Sequence, residues 1–200
     1  MKIAVLADDH QWNEMKTAGQ QVDYYRIGSM ENIRPSIDAC LVLKEELKTD
    51  FYFTSKPVFI NSVCRTLKEM NASPNMIRIN GWNGFLARNT WEVAGDINKT
   101  AQEVLKTLGK KTIEVQDEPG FVSARIIAMI INEAYFALED NISTIEEIDI
   151  AMKLGTNYPH GPFEWVAIIG VDKIFTLLKK LSIQDKRYIP APLLKAATTV

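Results

Sequence analysis

The first residues of the chain pose a chemical question. Lys2-Ile3-Ala4-Val5-Leu6-Ala7-Asp8-Asp9-His10-Gln11-Trp12 is a short apolar run followed by two carboxylates and a helix-compatible segment. A strand that turns directly into a helix can seat a pyrophosphate on helix N–H groups, provided glycines let the backbone approach the anion. No glycine occurs between Met1 and Ala18, and two carboxylates would face that anion. The same aspartates have a structural use, because Asp8 or Asp9 can cap the following helix, where negative charge is favourable. The spacing therefore predicts a capped helix and no phosphate cradle. Other reactive side chains are sparse. Cys40, Cys64, His10 and His160 are the only cysteines and histidines, and they lack metal-ligand spacing. No metal site is expected. His160 and Glu164 lie one helical turn apart, so they can pair on one face, or His160 can be an ordinary loop residue before a helix.

The elements that position these residues change character along the chain. The first part alternates strand-like runs (Ile3–Leu6, Val22–Ile27, Ala39–Leu43, Val58–Asn61, Met76–Ile79, Trp91–Ala94, Lys111–Val115) with helical stretches (Gln11–Ala18 ending at Gly19, Arg65–Met70, Ile97–Leu108). That alternation predicts βαβ units and a parallel sheet. From Asp117 onward the pattern is helical. Phe121–Leu138 is apolar on nearly every face and must be covered on more than one side. Thr144 and Glu147 form a capping-box signature with Gly155 as the expected stop, Pro162 suits a first helical turn, and Val171–Leu181 repeats a helical pattern. The expected organisation is a shortened Rossmann-like α/β domain over 1–116 and an all-helical domain over 117–200.

The chain has 200 residues, 46% of them hydrophobic, which is enough to bury a sizeable core. A formal charge of −2 and a pI near 5.8 remove the electrostatic motive for binding nucleic acid or an anionic membrane. The longest apolar stretch, around Ile126–Ile131, is too short to span a membrane. The first apolar run is too short for a signal peptide, and two cysteines suit a reducing compartment, so a cytoplasmic location is expected.

The second half resembles a known family. Asp117, Pro119-Gly120-Phe121, Arg125, Ile148-Asp149, Ala151-Met152-Lys153-Leu154-Gly155, Pro159, Gly161-Pro162-Phe163-Glu164 and Pro190-Ala191-Pro192 look like the successive motifs of the 3-hydroxyacyl-CoA dehydrogenase C-terminal domain. The resemblance implies a Rossmann-like first domain, an NAD-dependent oxidation of a hydroxyacyl-CoA in fatty-acid metabolism, and a homodimer through the helical domain. It also assigns positions. Glu92 matches the glutamate that orients the family's catalytic histidine, but the histidine's own place holds Asn80. The asparagine of the same motif is matched by Asn83. The family's substrate-binding serine falls on Val63 or, with a one-residue slip, on Ser62, and its asparagine in the P-G-F-x-x-N-R motif falls on Ala124. Ser62, Asn80, Asn83 and Ser123 are the expected substrate-binding residues and Glu92 the one catalytic candidate.

Asparagine does not titrate and cannot accept a hydroxyl proton as hydride leaves. Together with the missing glycines and the early arrival of Asn61 and Val200 against the family pattern, this points to a reduced relative. The expectation is a divergent protein that has lost NAD binding and ordinary dehydrogenase chemistry, a pseudoenzyme that keeps an acyl-CoA or acyl-group cleft lined by these residues. Two alternatives stand beside it, an active 3-hydroxyacyl-CoA oxidoreductase using NAD and a homodimeric interaction or scaffold protein.

Overall fold

The computed structural model describes residues 1–16, 22–34, 36–45 and 55–198. Its packing divides the chain into two compact units, Met1–Phe121 and Val122–Val200. The first contains β1 (Lys2–Leu6), α1 (Asp9–Lys16), β2 (Asp23–Arg26), β3 (Ala39–Val42), β4 (Val58–Asn61), β5 (Met76–Ile79), β6 (Thr90–Gly95), α2 (Lys99–Thr107) and β7 (Lys111–Glu114). The strands form one seven-stranded sheet in the order β2-β1-β3-β4-β5-β6-β7. All neighbours are parallel except β5 and β6. The segment between Ile79 and Thr90 carries no crossover helix, so the chain turns back beside β5 and the expected parallel sheet acquires one antiparallel pair.

The central strands are apolar on both faces, which explains their unbroken hydrophobic sequences. Ile3 and Val5 join Leu41, Phe59, Ile77 and Ile79 on one face, beneath Met15 of α1 and Ala101, Val104 and Leu105 of α2. Ala4 and Leu6 join Cys40, Val42, Val58 and Ile60 on the other, where Ile27, Ile37 and Met70 from connecting segments close the layer. Each fully buried aliphatic side chain of this kind contributes about 1.5–3 kcal/mol, which makes the sheet the rigid part of the unit.

Several boundaries differ from expectation. α1 begins at Asp9, while Ala18 and Gly19 lie outside the described residues. The helix expected at Arg65–Met70 is a single turn. Thr66 Oγ1 accepts from the Glu69 N–H (3.1 Å), the Glu69 carboxylate accepts from the Thr66 N–H (2.9 Å), and the Asp117 carboxylate takes the Leu67 and Lys68 amides (3.0 and 3.3 Å). Asn71, at φ 48°, then turns the chain out of the helical region. α2 starts at Lys99 because the Asn98 side chain accepts from Ala101 N and caps it.

The second unit comprises α3 (Ser123–Glu139), α4 (Ile145–Thr156), α5 (Pro162–Ile169), α6 (Val171–Ser182) and α7 (Pro192–Ala197). α3 packs against α5, α6 and α7. It starts two residues later than the apolar run, since Phe121 sits at φ 51° and cannot be helical. Midway along it, Asn132 is 2% exposed. Its Nδ2 donates to Ile189 O (3.0 Å) and its Oδ1 accepts from Ala191 N (2.8 Å), which pins the segment around Pro190. The Thr144–Glu147 capping box opens α4 as expected, and Pro162 lies in the first turn of α5. Gly155 does not stop α4. The helix runs through it to Thr156 and ends at Asn157 in the left-handed region (φ 55°). Among the described residues no helix is long and apolar enough to cross a membrane.

Asp149 explains why glycine precedes Pro162. Its carboxylate accepts from the Phe163 and Glu164 amides (2.8 and 3.2 Å), capping α5 from the side of α4. A Cβ at residue 161 would lie 2.2 Å from Asp149 Oδ1, whereas nothing lies within 4 Å of one at residue 155. Gly161→Ala is therefore expected to destabilise the chain by about 1–3 kcal/mol through overpacking. Gly155→Ala should instead stabilise it by about 0.5–1 kcal/mol, because alanine is the better helix former. Urea unfolding of the two variants checks the opposite signs.

Candidate functional site

In an open α/β sheet the ligand crevice lies beyond the carboxyl ends of the strands, where the strand order reverses. Here β1 has β2 on one side and β3 on the other, which places the reversal between β1 and β3. The chain's own side chains occupy that position. Asp8 Oδ1 accepts from Gln11 N (2.8 Å) while Gln11 Oε1 accepts from Asp8 N (3.2 Å), a reciprocal cap on α1. Gln11, 2% exposed, then donates from Nε2 to Leu43 O (2.8 Å) at the end of β3. Asn61 donates from Nδ2 to the same carbonyl (2.9 Å), and its Oδ1 accepts from Gly81 N (3.0 Å). A Cβ at residue 81 would meet Asn61 Cγ at 2.7 Å, so the glycine permits this close approach. At the end of β2, Arg26 donates from Nε and Nη2 to Ala7 O (3.2 and 2.9 Å) and from Nη1 to Asp9 (2.6 Å).

Of the sequence-derived candidates, Ser62 directly follows β4 and Asn80 directly follows β5. Asn80 is 4% exposed, with Oδ1 accepting from Trp82 N at 3.4 Å. Ser62 is 8% exposed and donates its hydroxyl to Arg65 O (2.9 Å), back into its own loop. Val63, the other candidate for the serine's place, is fully buried. Asn83 is half-buried, and its Oδ1 has no hydrogen-bond partner among the described residues. Glu92 is half-buried on β6 and its charge acts on Arg88. Ser123, half-buried, opens α3 in the second unit.

His160 and Glu164 do come together, with Nδ1 3.9 Å from Oε2. The carboxylate is already engaged by Lys153 and by the Gly161 N–H (2.9 Å), and the Lys153 hydrogen bond is the larger of the causes that hold it below the usual carboxylate range. The His160 ring stands edge-on to Trp165 with centroids 4.7 Å apart. This arrangement is a helix cap with an ion pair and an aromatic contact. Among the described residues no group of three or more His, Cys, Asp and Glu could hold a metal ion.

Sequence reasoning did not single out Arg78. It is fully buried in β5 and donates to Ser62 O (2.8 Å), Val63 O (3.2 Å), Asp117 (2.6 Å) and Glu118 O (3.3 Å), with Phe121 4.6 Å from its guanidinium carbon. Burial lowers its pKa and Asp117 opposes that shift. One cation thus ties the loop after β4 to the end of the first unit. The detectable signal was an arginine inside the apolar strand Met-Ile-Arg-Ile, just as the Asp8–Gln11 spacing was a legible capping box.

A sheet of this order followed by a helical unit defines a Rossmann-like α/β protein with a helical C-terminal domain. Residues 120–199 match the family described as 3-hydroxyacyl-CoA dehydrogenase, C-terminal domain. The chain is 42% identical over 93 residues to 3-hydroxyadipyl-CoA dehydrogenase of Escherichia coli, covering 46% of this chain and 20% of that protein. It is 34% identical over 128 residues to a probable 3-hydroxybutyryl-CoA dehydrogenase of Deinococcus radiodurans, covering 63% and 44%. The chain thus spans less than half the length of these curated relatives. The crystal structure of M. tuberculosis FadB2 superposes with a TM-score of 0.78 over 99% of this chain and 93% of that one, at 15% identity, and so bears on the fold alone. Residues 120–199 therefore belong to the 3-hydroxyacyl-CoA dehydrogenase C-terminal domain family, and the chain is a relative of those dehydrogenases.

The family implies a dinucleotide, but the turn between β1 and α1 does not fit one. The Asp8 and Gln11 amides are taken by each other's side chains, every position bears a Cβ, and Arg26 closes on Ala7 O and Asp9. Because the loop ending at Val63 and the segment Asp117–Phe121 meet on Arg78, Arg78→Met should cost about 3–5 kcal/mol, as expected when one partner of a buried charged network is removed. Thermal unfolding of that variant beside an exposed control such as Lys99→Met checks the value.

Proposed function

We propose that this chain is a divergent 3-hydroxyacyl-CoA dehydrogenase-like protein that binds an acyl group, as the CoA thioester or another acyl derivative, without using NAD and without ordinary hydride transfer. The observation that carries this reading is the closed turn Ala7–Trp12, whose amides and flanking carbonyl are taken by Asp8, Gln11 and Arg26. Asn80, at the family's general-base position, supports it, since a carboxamide cannot take up the substrate proton. Glu92 would have no imidazole to orient.

The protein is expected to be a cytoplasmic homodimer formed through the helical unit. Ile150, Leu154 and Ile183, which are 52%, 83% and 82% exposed, support a partner surface there, and both cysteines are free thiols. A second reading, a working NAD-dependent oxidoreductase, is favoured by the names of the curated relatives. Thermal shift with NADH and with acetoacetyl-CoA separates the two. A ligand that binds only the native state stabilises it by about 2.7 kcal/mol at a hundredfold excess over Kd. The proposal expects such a shift with acetoacetyl-CoA and none with NADH. A micromolar response to NADH restores the oxidoreductase reading, and silence to both beside a stable dimer in light scattering leaves the scaffold reading.

A further inference from the structure

β7 closes one side of the sheet, with β6 its single neighbour. Alone among the described strands it has no buried or half-buried residue, and Ile113 in its middle is 54% exposed. On the other edge strand, β2, Tyr24 and Tyr25 are half-buried. An unpaired edge open on both faces is a template for another strand.

The ladder fixes which groups that template offers. Lys111 N and Val115 N donate to Asn89 O and Val93 O (2.8 and 2.9 Å), in a parallel register that sets Thr112 beside Trp91 and Glu114 beside Val93. Successive residues of a strand present their backbone groups to opposite sides, so the N–H and C=O of Thr112 and Glu114 point away from β6. Their side chains lie on the face that α2 covers, with Trp91 and Val93. A hollow of about 330 Å³ there is lined by Thr112 and Glu114, by the exposed Lys106 of α2 and by Lys110 and Lys111. Lysines outnumber carboxylates around it three to one.

We propose that this edge docks a second copy of the chain, antiparallel and β7 to β7, so that the sheet continues across a twofold axis with Thr112 of each copy paired to Glu114 of the other. The register follows from the outward groups. Pairing Glu114 with Glu114 sets like charges directly opposite one another. Pairing Thr112 with Thr112 leaves Glu114 facing Lys110, whose amide already donates to Leu105 O (2.9 Å). Pairing Thr112 with Glu114 engages the outward amide and carbonyl of both residues in both copies. It also puts Ile113 opposite Ile113 in a non-hydrogen-bonded pair, where facing side chains come closest. On the α2 face each Glu114 then meets Thr112 of the other copy at its lysine-rich hollow. The attraction is reciprocal, as a twofold contact requires. A four-residue edge buries little surface, so the association is concentration-dependent. It uses none of the helical residues invoked for the dimer above and does not rest on the ligand reading.

Sedimentation velocity of the full chain over a range of concentrations, with hydrogen exchange of the Thr112 and Glu114 amides followed by NMR at each, tests this. The wild type should self-associate, and exchange at those two amides should slow as concentration rises. Ile113→Lys should weaken this association by about tenfold, since it removes the Ile113 contact and sets like charges opposite each other across the axis. Thr112→Pro removes an outward N–H at a place where an edge strand tolerates the ring, and should abolish the association in a chain that still unfolds cooperatively. Leu154→Lys, on the helical surface, should leave it in place. Exchange at Thr112 and Glu114 that is the same at every concentration overturns the proposal, as does an association that Ile113→Lys leaves unchanged. An association lost only in Leu154→Lys belongs to the helical unit, which overturns the sheet contact and upholds the helical dimer.

Discussion

Two buried carboxamides, Gln11 and Asn61, meet on a single oxygen, the carbonyl of Leu43. A carbonyl has two lone pairs, and here both find donors in a region where an unpaired polar group would cost about 1–3 kcal/mol. Gln11 brings the start of α1 to the end of β3, and Asn61 brings the end of β4 to the same point and to Gly81 beyond β5. The edge of the sheet where an open α/β fold usually receives its ligand is thus built from its own amides. Placing phosphates there would mean giving up these bonds and the Asp8–Gln11 cap together.

Arg78 extends the same logic along the sheet. It has no exposed surface, and its acceptors are backbone carbonyls and one aspartate, so the side chain acts as an internal strut between the loop after β4 and the segment Asp117–Phe121. Asp117 serves twice, since the same carboxylate also caps the turn at Leu67 and Lys68. In the helical unit Asp149 plays the comparable part, holding α5 by its first amides, and Asn132 fixes the approach to α7. Much of what the two units share with the dehydrogenase motifs is therefore explained by caps and struts rather than by chemistry.

That distinction accounts for what could be read from the residues. The apolar runs at Ile3–Leu6, Ala39–Val42 and Val58–Asn61 were legible because strands buried on both faces leave no alternative use for such sequence, and the Thr144–Glu147 box marked α4 because its two bonds join residues only three positions apart. The turn at Arg65–Met70 was misjudged because Asp117, far away in sequence, caps its first amides and Asn71, at φ 48°, leaves the helical region one turn later. Gly155 was misjudged because a helix tolerates glycine at modest cost, while Asn157 was able to take the left-handed conformation. For the candidate site, Ser62 and Asn80 both spend hydrogen-bonding capacity on their own loops, and this was not legible because it depends on where Arg65 O and Trp82 N lie.

The central claim is that the crevice between β1 and β3 is closed by the chain's own side chains. Nitrogen-15 NMR of the full chain, following the backbone amides of Ala7, Asp8, Gln11 and Trp12 as NADH is added, tests it most directly. The account predicts that these resonances stay in place at any NADH concentration that leaves the rest of the spectrum intact. Progressive shifts of the Asp8 and Gln11 amides, saturating with NADH, would contradict it.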